Sequence, residues 1–252
     1  MDSLERTESD TTLKAIACDG CPTNTGLHVG VKGEIEVRLQ RSLLWIPCII
    51  HTTERLFINV FEKIDPFWWK NWLTKEVNKN FEISYFERIQ GEEILMNEQT
   101  LKNLSYDQKY FFYLFKLVSN GLEDTKLSQI AYLKRHSPPK MHLARWLNTS
   151  SRILRLYVSI TNPTVNLKRI FHFIMSIYWP SWFESKMNYK LRYASRNFFS
   201  MMKRIEMFDD PQIRRICKSC LNRNSYSAHP EMILKGMVAE GGDSKAKTFE
   251  II

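Results

Sequence analysis

Two short apolar runs near the start of this 252-residue chain constrain its fold more than any other feature. The first, Leu13 to Ala17, reads as a strand that ends at the turn signal Asp19-Gly20 and leads into Asn24-Thr25-Gly26. The second, Leu43 to Ile50, reads as a neighbouring strand with Cys48 and His51 at its end. In open α/β sheets ligands gather outside the carboxyl ends of the strands, so both runs are expected to deliver chemistry to one sheet edge. A strand that carries a carboxylate into a Gly-rich turn suits a divalent metal or a phosphate.

Charge divides the rest. Between Lys126 and Arg223 there are 19 Lys and Arg against 4 Asp and Glu, a local excess of 15 on a chain whose total is +9, so the remainder is net acidic. A basic helical half favours a polyanion or an acidic partner, nucleic acid being the commonest, although a solvated basic face gives the same count. With 44% hydrophobic and 13% aromatic residues, a packed core is expected and disorder only at the ends.

The first dozen residues are polar and acidic with no apolar core, which does not read as a secretory leader. The longest apolar stretch, Ile170 to Phe183, is interrupted by His172 and Pro180 and is too short to span a membrane, so no membrane partner is expected. Five cysteines, an odd number, suit reduced thiols in an intracellular compartment. Cys18-x-x-Cys21, Cys48-x-x-His51 and Cys217-x-x-Cys220 have spacings that zinc sites use, but Cys217 and Cys220 fall in a helical pattern, and buried or half-buried thiols are the favoured reading.

Beyond the first strands the pattern turns helical. Glu34 to Leu44 and the segment through Leu56, Val60 and Ile64 each show a helical stripe. Ser105-Tyr106-Asp107-Gln108 is a capping-box signature, and its helix is expected to stop at Asn120-Gly121. After the Ser137-Pro138-Pro139 linker, a helix starting near Met141 places Leu143, Trp146, Leu147, Ile153, Leu154 and Tyr157 on one side and Arg145 and Arg152 on the other, flanked by Arg155. Asn162-Pro163 is expected to open a helix that runs to Pro180, followed by helices over Phe183 to Met207, Pro211 to Leu221 and from His229-Pro230-Glu231.

Taken in order, Cys18-Asp19-Gly20 with Asn24-Thr25-Gly26, Trp45-x-x-Cys48-x-x-His51, Leu104-Ser105-Tyr106-Asp107-Gln108, Ala144-Arg145-Trp146-Leu147, Arg152 to Val158 and Arg223-Asn224-x-Tyr226-x-x-His229-Pro230-Glu231 resemble a transposon-derived family found mainly in arthropods. That family is similar to the RNase H-like DDE transposases, close to the hAT group. The resemblance implies that Asp19 is the second acid of a DDE triad that binds Mg²⁺, that Cys48 and His51 are the C-x-x-H element following it, and that Glu231 is the third acid. Two-metal chemistry asks for three converging carboxylates. Only 18 residues precede Asp19, too few for a strand carrying the first acid, so the resemblance implies a truncated remnant without strand-transfer activity.

The expected fold is α/β to mostly α. Residues 1–13 read as disordered, 14–65 as a partial RNase H-like segment, 66–103 as irregular and aromatic-rich, 104–240 as a basic helical, insertion-like domain and 241–252 as a flexible tail. The expected function is DNA binding by Arg145, Arg152, Arg155, Lys168, Arg169, Arg214 and Arg215. The alternatives are association with a full-length transposase or with itself through an exposed sheet edge, and an Mg²⁺-dependent nuclease if another segment supplies the missing acid. Nuclear residence follows from the resemblance.

Overall fold

The computed structural model describes residues 13–19, 21–25, 30–65, 81–84, 86–89, 96, 98–138, 146–190 and 193–222. The described part is mostly helical with one small parallel sheet. In chain order the elements are β1 (Ala15–Cys18), α1 (Pro22–Thr25), α2 (Val31–Leu39), β2 (Leu44–Pro47), α3 (Ile49–Ile64), α4 (Glu98–Lys102), α5 (Tyr106–Asp124), α6 (Leu127–Arg135), α7 (Trp146–Ser159) and α8 (Val165–Phe173). A π-helical turn over Ile174–Tyr178 then leads into α9 (Trp179–Met187), α10 (Ala194–Glu206) and α11 (Pro211–Leu221). Among the described residues no helix is long and apolar enough to cross a membrane.

Two compact units emerge. The first joins the described residues up to Thr52 with Ser185–Phe199 and Leu221. Its sheet pairs β1 with β2 in parallel, Ala15 opposite Leu44 through Cys18 opposite Pro47. Between the strands, α2 ends where Gln40 turns left-handed at φ 52°. The Glu36 carboxylate then accepts the Leu43 amide and the Lys32 ammonium, both at 2.7 Å, and so fixes the approach to β2. The helix predicted to reach Leu44 therefore stops at Leu39, and the strand predicted to reach Ile50 stops at Pro47, because Ile49 already starts α3.

The second unit holds Thr53–Glu184 and Ser200–Cys220. Its centre is α5, which packs against α6 and α7 and buries Tyr110, Phe111, Leu114, Phe115, Leu117 and Val118. Aromatic rings fill the interior: Phe115 stacks on Trp179 and Tyr157 on Phe171, each with centroids 3.4 Å apart, and Phe57 lies 4.7 Å from Tyr178. Such pairs add about 0.5–1.5 kcal/mol each beyond their area burial. At the carboxyl end of α7, the Ser84 amide donates to the Val158 carbonyl at 2.8 Å and its hydroxyl to the Ser159 carbonyl at 3.1 Å, so two carbonyls left over by the last turn are satisfied.

Several predicted boundaries move for identifiable reasons. Pro180 does not end its helix. The π turn before it uses a longer hydrogen bond, Trp179 N–H to the Ile174 carbonyl, and this shift absorbs the donor that proline lacks. The N-cap of α8 is Thr164 rather than Asn162, its hydroxyl accepting from the Leu167 amide at 3.2 Å. The helix predicted over Phe183 to Met207 is two helices, α9 and α10. The tract 66–103 contains the short helix α4. Gln108 Oε1 accepts from the Ser105 amide at 3.3 Å, as the capping box requires, and the helix breaks at Gly121 but winds on to Asp124.

Gly121 has φ 82° and ψ 174°, a region open almost only to glycine. A Cβ there would also run into the Arg88 side chain, whose guanidinium pairs with Asp124. Gly121→Ala is expected to lower stability by about 1–3 kcal/mol, read as a lower urea midpoint at unchanged slope.

Candidate functional site

The parallel register sends both strands out of the sheet at the same end. Past Cys18 the chain turns through Asp19, and past Pro47 it enters α3 through Cys48, whose amide donates to the Cys18 carbonyl at 3.0 Å. That carbonyl also accepts the Trp45 indole N–H at 3.4 Å. Asp19 Oδ1 accepts the Cys21 amide at 3.2 Å and the Asn24 side-chain amide at 2.6 Å, an Asx-type turn that leads into α1. Cys48 stands ahead of α3, its carbonyl taking the Thr52 amide, and His51 lies exposed on the first turn.

Cys18, Asp19, Asn24, Pro47, Cys48 and His51 line a cleft of about 370 Å³. Asn188, just past the end of α9, with Tyr189 and Lys190 from the connection to α10, also line it. The sequence pattern placed them mid-helix, so nothing local signalled them. The break between the two helices exposes Tyr189 and Lys190. The hydrogen bonds from Cys21 and Asn24 hold the Asp19 carboxyl below its ordinary range, with His51 adding a smaller electrostatic pull. Burial raises the Cys18 thiol, partly offset by a hydrogen bond from Trp45 and reinforced by smaller contributions from Asp19, Cys21 and Cys48.

A carboxylate, an imidazole and an ammonium around one cleft suit a small polar or ionic ligand. Among the described residues, no group of three or more His, Cys, Asp or Glu is placed to hold a metal ion. Asp19 is the one carboxylate among the described lining residues, and one of its oxygens is committed to the turn. The described residues alone do not fit a two-metal centre. Glu231 lies outside them, as do Arg145, Gly20 and the motif from Arg223 to Pro230.

The basic helices require a correction. Arg152, placed opposite the apolar stripe, and Arg155, which flanks it, were both expected to bind DNA but are buried, because α7 is enclosed on all sides from Leu147 to Val158. Arg155 donates to the Tyr110 hydroxyl at 2.6 Å and lies 4.1 Å over the Phe81 ring. Burial pushes the Tyr110 phenol up to about 12 against the pull of that cation. Arg169 grips Asp210 at 2.6 and 3.1 Å, holding that carboxyl below its ordinary range, and also donates to Gln212. Arg214 donates to the Glu206 carbonyl at 3.3 Å. Lys168 and Arg215 are exposed. Cys217 is buried, and burial pushes its thiol up.

Compared with protein-family models, curated proteins and solved structures, the chain matches none.

Because the folded carboxyl of Asp19 titrates below its ordinary 3.8, it binds fewer protons than in the unfolded chain. Its stabilisation is complete above that ordinary value and is lost as pH falls through the folded one. Asp19→Asn keeps an oxygen for the turn but is expected to flatten this acid dependence in melting curves taken from pH 5 downward. Arg155→Ala is expected to cost roughly 2–4 kcal/mol in urea unfolding, through the lost charged hydrogen bond and ring contact.

Proposed function

We propose that this chain is a transposase-derived protein of the RNase H-like, DDE and hAT-like kind that binds DNA and does not carry out strand transfer. The observation that carries the reading is the meeting of Asp19 with Cys48 and His51 at the carboxyl ends of two parallel strands. That is the arrangement the motif resemblance implies for the second acid and its C-x-x-H element. Nuclear residence belongs to the same proposal. Mg²⁺, where it binds, would be held by Asp19 and by a carboxylate outside the described residues, Glu231 being the candidate; it would supply charge stabilisation at phosphate.

DNA binding rests on the exposed cations of the basic helices. Lys168 on α8 and Arg215 on α11 are exposed and are the phosphate contacts of this reading, while Arg152 and Arg155 serve the core. Duplex affinity is expected to fall as salt rises, and Lys168→Glu with Arg215→Glu is expected to weaken it and shallow the logarithmic salt slope by about two. Gel-shift titrations from low to physiological salt measure both. No duplex affinity at the lowest salt would sink the reading. In a Mg²⁺ cleavage assay the expected outcome is intact DNA; cleavage abolished by Asp19→Ala would overturn the loss of strand transfer.

One observation favours a second reading, association through the sheet. Among the described residues β1 is paired on one side only, and Ala17 is exposed, so its outer edge suits an added strand from a full-length transposase or a second copy. A purified chain that sediments as a monomer at every concentration and ignores a full-length transposase retires it.

A further inference from the structure

The α5–α6 pair carries an aromatic and basic face that the Asp19 cleft and the Lys168 and Arg215 contacts do not use. On α5, Tyr106, Lys109, Tyr113 and Lys116 recur at helical spacing and form one stripe, exposed at Tyr106 and half-exposed at the others. Leu114, Phe115, Leu117 and Val118 occupy the buried side. From α6, Tyr132 lies edge-on to Tyr113 at 5.0 Å, and His136, just past the helix, stacks on Tyr132 at 4.1 Å. Tyr106 completes the cluster, 6.4 Å from Tyr132 and 5.8 Å from His136. Arg135 is exposed beside these rings.

We propose that this face binds single-stranded DNA, the bases stacking on the Tyr106, Tyr113, Tyr132 and His136 rings and the phosphates following Lys109 and Arg135. Every base offers a π face, so rings interleaved with cations hold a single strand with little regard to sequence. A duplex hides those faces inside its own stack. The rings already hold one another in place, which lowers the ordering cost of binding. Of the acidic residues on α5 itself, Asp107 is buried and takes the Ser105 hydroxyl, while Glu123 and Asp124 lie beyond the Gly121 break, where they pair with Arg88. The Tyr106 hydroxyl donates to the Ser137 carbonyl, and His136 Nδ1 lies 2.8 Å from the Tyr132 carbonyl, so both rings are also anchored to the protein's own backbone. This inference takes from the reading above only that DNA is the polyanion.

Fluorescence anisotropy of the full chain at low salt, with labelled oligo(dT), oligo(U) and a duplex, tests it. The expected result is tightest binding to oligo(dT), weakened about tenfold by Tyr113→Leu with Tyr132→Leu and weakened also by Lys109→Gln, with duplex affinity unchanged in both variants. Lys109→Gln alters a half-exposed side chain and leaves the core intact, so a folding failure of the tyrosine pair does not blur the outcome. Photocrosslinking of bromodeoxyuridine-substituted oligo(dT) to the unmodified chain is expected to give adducts on peptides carrying Tyr106, Tyr113, Tyr132 or His136. Tighter binding of oligo(U) or duplex, unchanged oligo(dT) affinity in both variants, or adducts confined to other segments would overturn the proposal. Loss of duplex binding alone would count against the Lys168 and Arg215 contacts and leave this face standing.

Discussion

Parallel pairing of two four-residue strands is the constraint on which the candidate site depends. An antiparallel pair would send Asp19 and Cys48 out of opposite ends of the sheet. In the parallel register Cys18 faces Pro47, and the ladder closes with the Cys48 amide on the Cys18 carbonyl, so the two exits leave side by side. The connection that makes this geometry possible is α2, whose end is set by the left-handed Gln40 and by Glu36 reaching forward to Leu43. A one-residue slip would exchange the faces of β2 and turn the buried Ile46 outward.

In the second unit the governing constraint is the enclosure of α7. A helix surrounded on all sides has no solvent face to give its arginines, and a charged group without partners inside a core is costly. Arg155 meets this with the Tyr110 hydroxyl and the Phe81 ring, which converts a residue that looks like a phosphate ligand into part of the packing. Arg169 is likewise engaged by a bidentate carboxylate. The local charge excess is real, yet a share of it lies within the structure, and the accessible cations are fewer than the composition suggests.

Much of the local organisation was legible. The strand starts, the Leu56, Val60 and Ile64 stripe, the Ser105 cap and the helix over Pro211–Leu221 follow from periodicity and capping chemistry, which act over a few residues. Pro180 was misleading because a π turn accommodates it, and a π turn has no short-range signature. The α7 arginines were misleading for a different reason. Seven-residue spacing fixes a shared face, but whether that face meets water or protein depends on segments distant in sequence, here Phe81 and Tyr110.

The sequence by itself determined that Asp19 ends a strand in a turn, that Cys48 and His51 follow a second strand, and that the remainder is largely helical, because each rests on contacts between near neighbours. Only the tertiary structure decided the residue-by-residue register of the two strands, that Tyr189 and Lys190 line the cleft, and which of the described basic side chains remain outside. Those outcomes belong to long-range packing: burial is a property of the whole surface a residue is pressed against, and no local pattern specifies what that surface will be.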